Sequence, residues 1–111
     1  MTEKSKYRDW KVWQDAVDVG VEVMNIEYPL PELISIQLRQ TAISISYKIA
    51  EGAAGDKLGY RAARKAAARL ETYLVIIHKL NPVEANEHGE LLTTLQSIQA
   101  QLGAIMKKVS Y

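Results

Sequence analysis

Apolar positions along residues 36–52 recur at the spacing of an α-helix, and they form two stripes rather than one. The first stripe consists of Leu38, Ala42, Ile45 and Ile49. The second stripe lies on a neighbouring face and consists of Ile36, Ile43 and Ala50. A helix that packs against one neighbour needs only one apolar stripe. A helix with two must bury both, within a bundle, against another subunit or both, so the pattern favours an all-helical, oligomeric protein.

The same period predicts four helices, over about residues 8–24, 32 to 52–55, 57–80 and 83–109. The third helix has a stripe of Ala63, Ala67, Leu70, Leu74 and Ile77. The fourth has a heptad-like seam of Leu91, Leu95, Ile98, Leu102, Ile105 and Val109. Four helices with short connections are typical of an antiparallel, up-and-down four-helix bundle. We expect one all-α domain over residues 1–111.

The first helix also carries two apolar stripes. One consists of Trp10, Trp13, Val17, Val21 and Met24. The other stripe, on the next face, consists of Val12, Ala16, Val19 and Val23. This stripe and the second stripe of the second helix supply more apolar surface than the core of one bundle needs. We therefore predict that these two stripes form the oligomer interface, with the residues Val12, Ala16, Val19, Val23, Ile36, Ile43 and Ala50.

Composition narrows the classes of protein that remain. The chain of 111 residues is 48% hydrophobic, which is enough for a core, and its net charge is only +1. It has no cysteine, which excludes disulfides and thiolate zinc sites. No run of eighteen apolar residues and no signal-peptide core occurs, so we expect a cytoplasmic protein without membrane contact.

Positive charge is nevertheless concentrated on the third helix. Residues 56–80 carry a net charge of +4, while the segments on either side are negative. At about 100° per residue, the basic residues of the first half span an arc of roughly 140° and a length of about 18 Å. They are Lys57, Arg61, Arg64, Lys65 and Arg69. Such a face can be an ordinary solvated surface, contact a polyanion such as RNA or DNA, or contact an acidic protein.

Catalytic patterns are weak by comparison. The two histidines have no metal-ligand spacing, and neither a nucleophile elbow nor a phosphate-binding glycine loop occurs. Glu51 and Glu71 could form a carboxylate pair, although neutralisation by Arg39 or Lys48 is the simpler expectation. We therefore expect no enzyme activity, no catalytic residue, no metal and no cofactor.

Several blocks of the chain resemble the 23S rRNA intervening-sequence protein family. The main one runs from Gln37-Leu38-Arg39 through Ala42-Ile43-Ser44-Ile45 to Ile49-Ala50-Glu51-Gly52. The others are Trp10-x-x-Trp13-Gln14-x-Ala16, Pro31-Glu32, Ala63-Arg64 and Leu70-Glu71-Thr72-Tyr73-Leu74. The resemblance implies a four-helix bundle that assembles as a homopentameric ring. It also implies similarity in fold to the accessory variability proteins of diversity-generating retroelements, which are partners of a reverse transcriptase and its template RNA.

Two functional hypotheses follow. The first is a non-enzymatic, homo-oligomeric bundle that binds structured RNA or another nucleic acid through the basic face of the third helix. The alternative is a protein-interaction module, such as an accessory subunit of a retroelement reverse transcriptase.

Overall fold

The computed structural model describes residues 6–28, 30–80 and 85–109, with side chains from residue 89 onward in the last segment. A short 3-10 turn, Lys6–Asp9, precedes four α-helices: α1 (Lys11–Asn25), α2 (Glu32–Ala53), α3 (Leu58–Leu80) and α4 (Ala85–Lys108). No strand occurs in these segments. The four predicted helices are therefore confirmed, although the predicted start of the fourth, at residue 83, lies outside the described residues.

Each helix packs against two others. α1 and α3 both contact α2 and α4, so the helices surround one core in the order α1, α2, α3, α4. This core contains the first predicted stripe of α2, the predicted stripe of α3 and most of the α4 seam. Its fully enclosed large side chains are Leu38, Ile45, Ile49, Leu70, Leu74, Ile77, Leu91, Leu95, Ile98, Leu102 and Val19. No described helix has the length and apolar content that a membrane crossing requires.

The structure corrects the predicted interface stripe of α1. Val12, Ala16, Val19 and Val23 are at most 3% exposed within the single chain. They face the core and cannot contact a second subunit, so their assignment to the oligomer interface was wrong. The rival stripe turns outward only at its C-terminal end, where Val21 is 56% and Met24 46% exposed, whereas Trp10 and Trp13 pack partly buried against the core. Both stripes have helical spacing, and only the positions of α2 and α4 determine which one faces inward.

The α2 half of the predicted interface has a different outcome. Ile36 and Ile43 remain 43% and 42% exposed, and Ala50 is half-buried. This stripe therefore lies at the surface, where a second subunit could reach it. Its part in an oligomer stays a prediction.

The first helix begins later than predicted. Trp10 has an extended backbone conformation, with φ −78° and ψ 129°, and separates the 3-10 turn from α1. Its ring stacks on Tyr60 of α3, with the centroids 6.4 Å apart and an interplanar angle of 27°. Trp10 thus packs the segment before α1 against the N-terminal end of α3.

An arginine of α2 stabilises the end of α1. The Arg39 guanidinium donates a hydrogen bond of 2.8 Å to the Ile26 carbonyl oxygen, which caps α1. It also donates to the Ser35 hydroxyl and lies over the Tyr28 ring, 5.8 Å from the centroid. The last carbonyls of a helix have no partner within the helix. Arg39 supplies one and so fixes the connection between α1 and α2.

Candidate nucleic-acid interface

All five predicted basic residues are exposed. Lys57 lies just before α3, and the other four lie on its first half. Within the described segments, Arg61, Arg64, Lys65 and Arg69 make no hydrogen bond and no ion pair. Their charge is therefore not neutralised by neighbouring carboxylates there, and it is available to an anion.

The five residues do not form a single contact surface. Lys65 and Arg69 lie along the side of α3 that borders α2. Arg64 lies on the opposite side, where a Cβ added at Gly103 of α4 would be 3.4 Å from the guanidinium carbon. The predicted arc therefore divides between two grooves, because it is wide enough to reach both neighbouring helices.

The groove between α2 and α3, which we call the polar groove, collects polar side chains from both helices. From α2 it receives Gln37, Gln40, Thr41, Ser44, Tyr47 and Lys48, and from α3 it receives Ala62, Lys65, Ala66, Arg69 and Tyr73. The α2 residues were not among the site residues predicted from the sequence. A usable signal was present, because most of them recur at helical spacing beside the core stripe.

The hydrogen-bonding groups of the polar groove differ in how far they are engaged. Thr41 and Ser44 donate to backbone carbonyls of their own helix, at 2.8 and 2.7 Å. The side-chain amides of Gln37 and Gln40 make no hydrogen bond within the described residues. Two amides with both donor and acceptor atoms are therefore available to a ligand.

One cation of the polar groove is already paired. The Lys48 ammonium lies 3.2 Å from a Glu51 carboxylate oxygen and 5.5 Å from the centroid of the Tyr47 ring. Lys65 and Arg69 consequently provide the positive charge there that no described carboxylate offsets.

The opposite side of the molecule is acidic. A groove between α1 and α4 is lined by the carboxylates of Asp15, Asp18, Glu22, Glu27 and Glu90. Asp15 is the most engaged, with Lys11 at 2.7 Å and the Gln101 amide at 3.3 Å. Although the net charge of the chain is small, the molecule therefore has two surfaces of opposite charge.

A third surface is apolar. Between α1 and α2, exposed apolar side chains surround a shallow groove that runs past Gly20, and we call it the apolar face. It consists of the half-buried Val17 and the exposed Val21, Met24 and Ile43.

The other sites considered from the sequence are not assembled in the structure. Glu51 pairs with Lys48, whereas Glu71 accepts a hydrogen bond of 3.0 Å from the Gln99 amide. Tyr60, which neighbours the basic residues in sequence, is only 4% exposed and cannot stack on a base. Among the described residues, no group of three His, Asp or Glu side chains could hold a metal ion.

The fold and surface define a small all-helical protein with four packed helices and one cationic side. A model of the 23S rRNA-intervening sequence protein family matches residues 8–104. The chain therefore belongs to this family. No curated protein and no solved structure matches it significantly.

Proposed function

We propose that this protein is a non-enzymatic, homo-oligomeric binder of structured RNA or another nucleic acid, acting in the cytoplasm. The observation that carries this proposal is the set of four exposed cations on α3 that have no partner among the described residues. Uncompensated Lys and Arg side chains bind phosphates by releasing condensed counterions.

The separation of charge supports the proposal. The acidic groove between α1 and α4 lies across the bundle from the polar groove between α2 and α3. A polyanion is repelled by the first and attracted by the second. Such a protein presents one side to nucleic acid despite a net charge of only +1.

The test is fluorescence anisotropy with a labelled RNA hairpin and a labelled DNA duplex, at 50 and 200 mM salt, with the Arg61→Glu, Arg64→Glu, Arg69→Glu triple variant. We expect the native protein to bind more weakly at the higher salt and the triple variant to lose binding. The matched control is the triple variant Arg8→Glu, Lys79→Glu, Lys108→Glu, which changes the net charge equally at exposed positions that line neither groove beside α3. Absence of native binding at 50 mM salt would contradict the proposal.

The oligomer is the second part of the proposal. The apolar face leaves Val21 56% and Met24 46% exposed, and covering it with a second copy would remove these side chains from water. We take five subunits from the family resemblance, which corresponds to five times the chain mass of 12.5 kDa. Light scattering measures this mass directly.

The apolar face also favours an alternative, in which the protein docks another protein such as a reverse transcriptase. A protein partner needs an apolar contact surface, which α1 and α2 supply. A native protein that fails to bind nucleic acid but captures a purified reverse transcriptase would support this alternative.

A further inference from the structure

We propose that the polar groove between α2 and α3 binds unpaired nucleotides, with phosphates on Lys65 and Arg69 and bases against Gln40 and Tyr47. The inference rests on the proposed nucleic-acid function and identifies where on the molecule, and in which form, the nucleic acid binds. It moves the site from the whole basic face of α3 to one groove.

The two cations are spaced to contact successive phosphates. Lys65 and Arg69 are four residues apart on one side of α3, which separates them by about 6 Å along the helix axis. Neither has a partner among the described residues. Arg61 and Arg64 lack partners as well, but they do not line this groove.

The groups across the groove suit bases rather than further phosphates. The Gln37 and Gln40 amides have both donors and acceptors, which can pair with the Watson–Crick edges of bases. These edges are accessible only when the bases are unpaired. The described lining of the groove thus combines unpaired cations on α3 with neutral hydrogen-bonding groups and the paired Lys48 on α2.

Tyr47 supplies a surface for stacking. Its side chain is 49% exposed, in contrast to the buried Tyr60. Stacking of a base on an aromatic side chain tolerates any base, because every base has a π-face. Lys48 already lies over the Tyr47 ring and would have to move aside or remain on the opposite face of the ring.

The dimensions of the groove favour a single strand. The groove is a surface furrow between two packed helices whose axes lie about 8–10 Å apart, so unpaired nucleotides can lie along it, whereas the body of a duplex cannot enter it. Close packing of Gly59 against Lys48 and Gly52 places the start of α3 beside the end of α2. Because α2 and α3 run in opposite directions from this contact, Tyr73 of α3 lies near Gln37 of α2. Tyr47 is nine or ten residues further along α2 from that end of the groove. At about 3.4 Å per stacked nucleotide, this length holds on the order of four nucleotides.

The experiment measures anisotropy of a labelled 12-nucleotide oligouridine and of a labelled 12-base-pair RNA duplex at 50 mM salt. The groove variant is Lys65→Gln, Arg69→Gln, and its control is Arg61→Gln, Arg64→Gln, which removes the same charge from the same helix outside the groove. We expect the groove variant to bind oligouridine about tenfold more weakly and the control less than threefold more weakly. Tyr47→Ala should weaken oligouridine binding about tenfold, and its control Leu33→Ala, which truncates an exposed side chain of the same helix outside the groove, should not.

The outcomes separate the two proposals. Equal losses in the two double variants, or a duplex bound more tightly than oligouridine, would overturn the groove as the site while leaving nucleic-acid binding intact. If the native protein binds none of the four nucleic acids (the oligouridine, the RNA duplex, the RNA hairpin and the DNA duplex), both proposals are overturned. Circular dichroism of each variant establishes that a loss of binding is not a loss of fold.

Discussion

Gly59 at the start of α3 lies directly against Gly52 near the end of α2. A Cβ added at Gly59 would lie 2.6 Å from the Gly52 amide nitrogen and 2.5 Å from the Lys48 carbonyl oxygen. Both of these atoms belong to the backbone and cannot rotate away. The Gly52 position is equally tight, since a Cβ there would lie 2.8 Å from the ring of Tyr60. The two glycines thus set how closely α2 and α3 approach, and with it the width of the polar groove.

The first prediction concerns Gly59→Ala. In an open helix interior this substitution is stabilising by about 0.5–1 kcal/mol. At Gly59 the new methyl group overlaps the backbone of α2, so we expect a net loss of about 1–3 kcal/mol in the free energy of unfolding. Urea denaturation measures this loss.

Gly89→Ala is the matched control for that variant. Gly89 lies inside α4 with no atom within 4 Å of an added Cβ. Its replacement should leave the unfolding free energy unchanged or raise it by up to about 1 kcal/mol. Similar losses at the two positions would contradict the close contact between α2 and α3.

The second prediction concerns Arg39→Ala. This variant removes the hydrogen bonds to the Ile26 carbonyl and the Ser35 hydroxyl. Because Ser35 is buried and Arg39 is partly buried, we expect a loss of about 1.5–3 kcal/mol in stability. Arg61→Ala removes an exposed arginine that has no partner among the described residues, and it should change stability by less than about 0.5 kcal/mol. Thermal and urea unfolding compare the two variants, and equal effects would show that Arg39 does not fix the connection.

The third prediction separates the two stripes of α1. Val19→Ala removes two methyl groups from a side chain that is 1% exposed, which should cost about 2 kcal/mol of stability. Val21→Ala makes the same chemical change on the outer stripe, where the side chain is 56% exposed. Under conditions where the chain is monomeric, Val21→Ala should change the unfolding free energy by less than about 0.5 kcal/mol. A larger loss of stability for Val21→Ala than for Val19→Ala would instead support the assignment made from the sequence, in which the stripe of Val19 lies outside the core.

The fourth prediction concerns assembly. The double variant Val21→Glu, Ile43→Glu places two carboxylates on the apolar face, where they would be desolvated in a contact between copies. Light scattering should then give the mass of a single chain, while circular dichroism retains the helical spectrum. The double variant Leu58→Glu, Leu80→Glu places the same two carboxylates at exposed apolar positions of α3, outside the apolar face, and should leave the native mass unchanged. A native mass near 12.5 kDa would show that the apolar face is not covered by a second copy.

The candidate site was only partly predictable. The basic residues of α3 were identified from spacing, because exposed positions of one helix can be read from the sequence around its own axis. Gln40 and Tyr47 were not selected as part of this site, since they lie on another helix and join Lys65 and Arg69 only across the groove. The periodic polar positions of α2 gave a signal, but that signal does not say which helix lies alongside.

The sequence by itself determined the four helices and the core stripes of α2, α3 and α4, because apolar spacing is a property of each helix alone. Only the tertiary structure decided which stripe of α1 is buried and how the charge of α3 divides between two grooves. These outcomes depend on the rotation of each helix about its axis and on the distance between helices. Both are set by contacts between residues far apart in the chain, such as Trp10 with Tyr60 and Asp15 with Gln101.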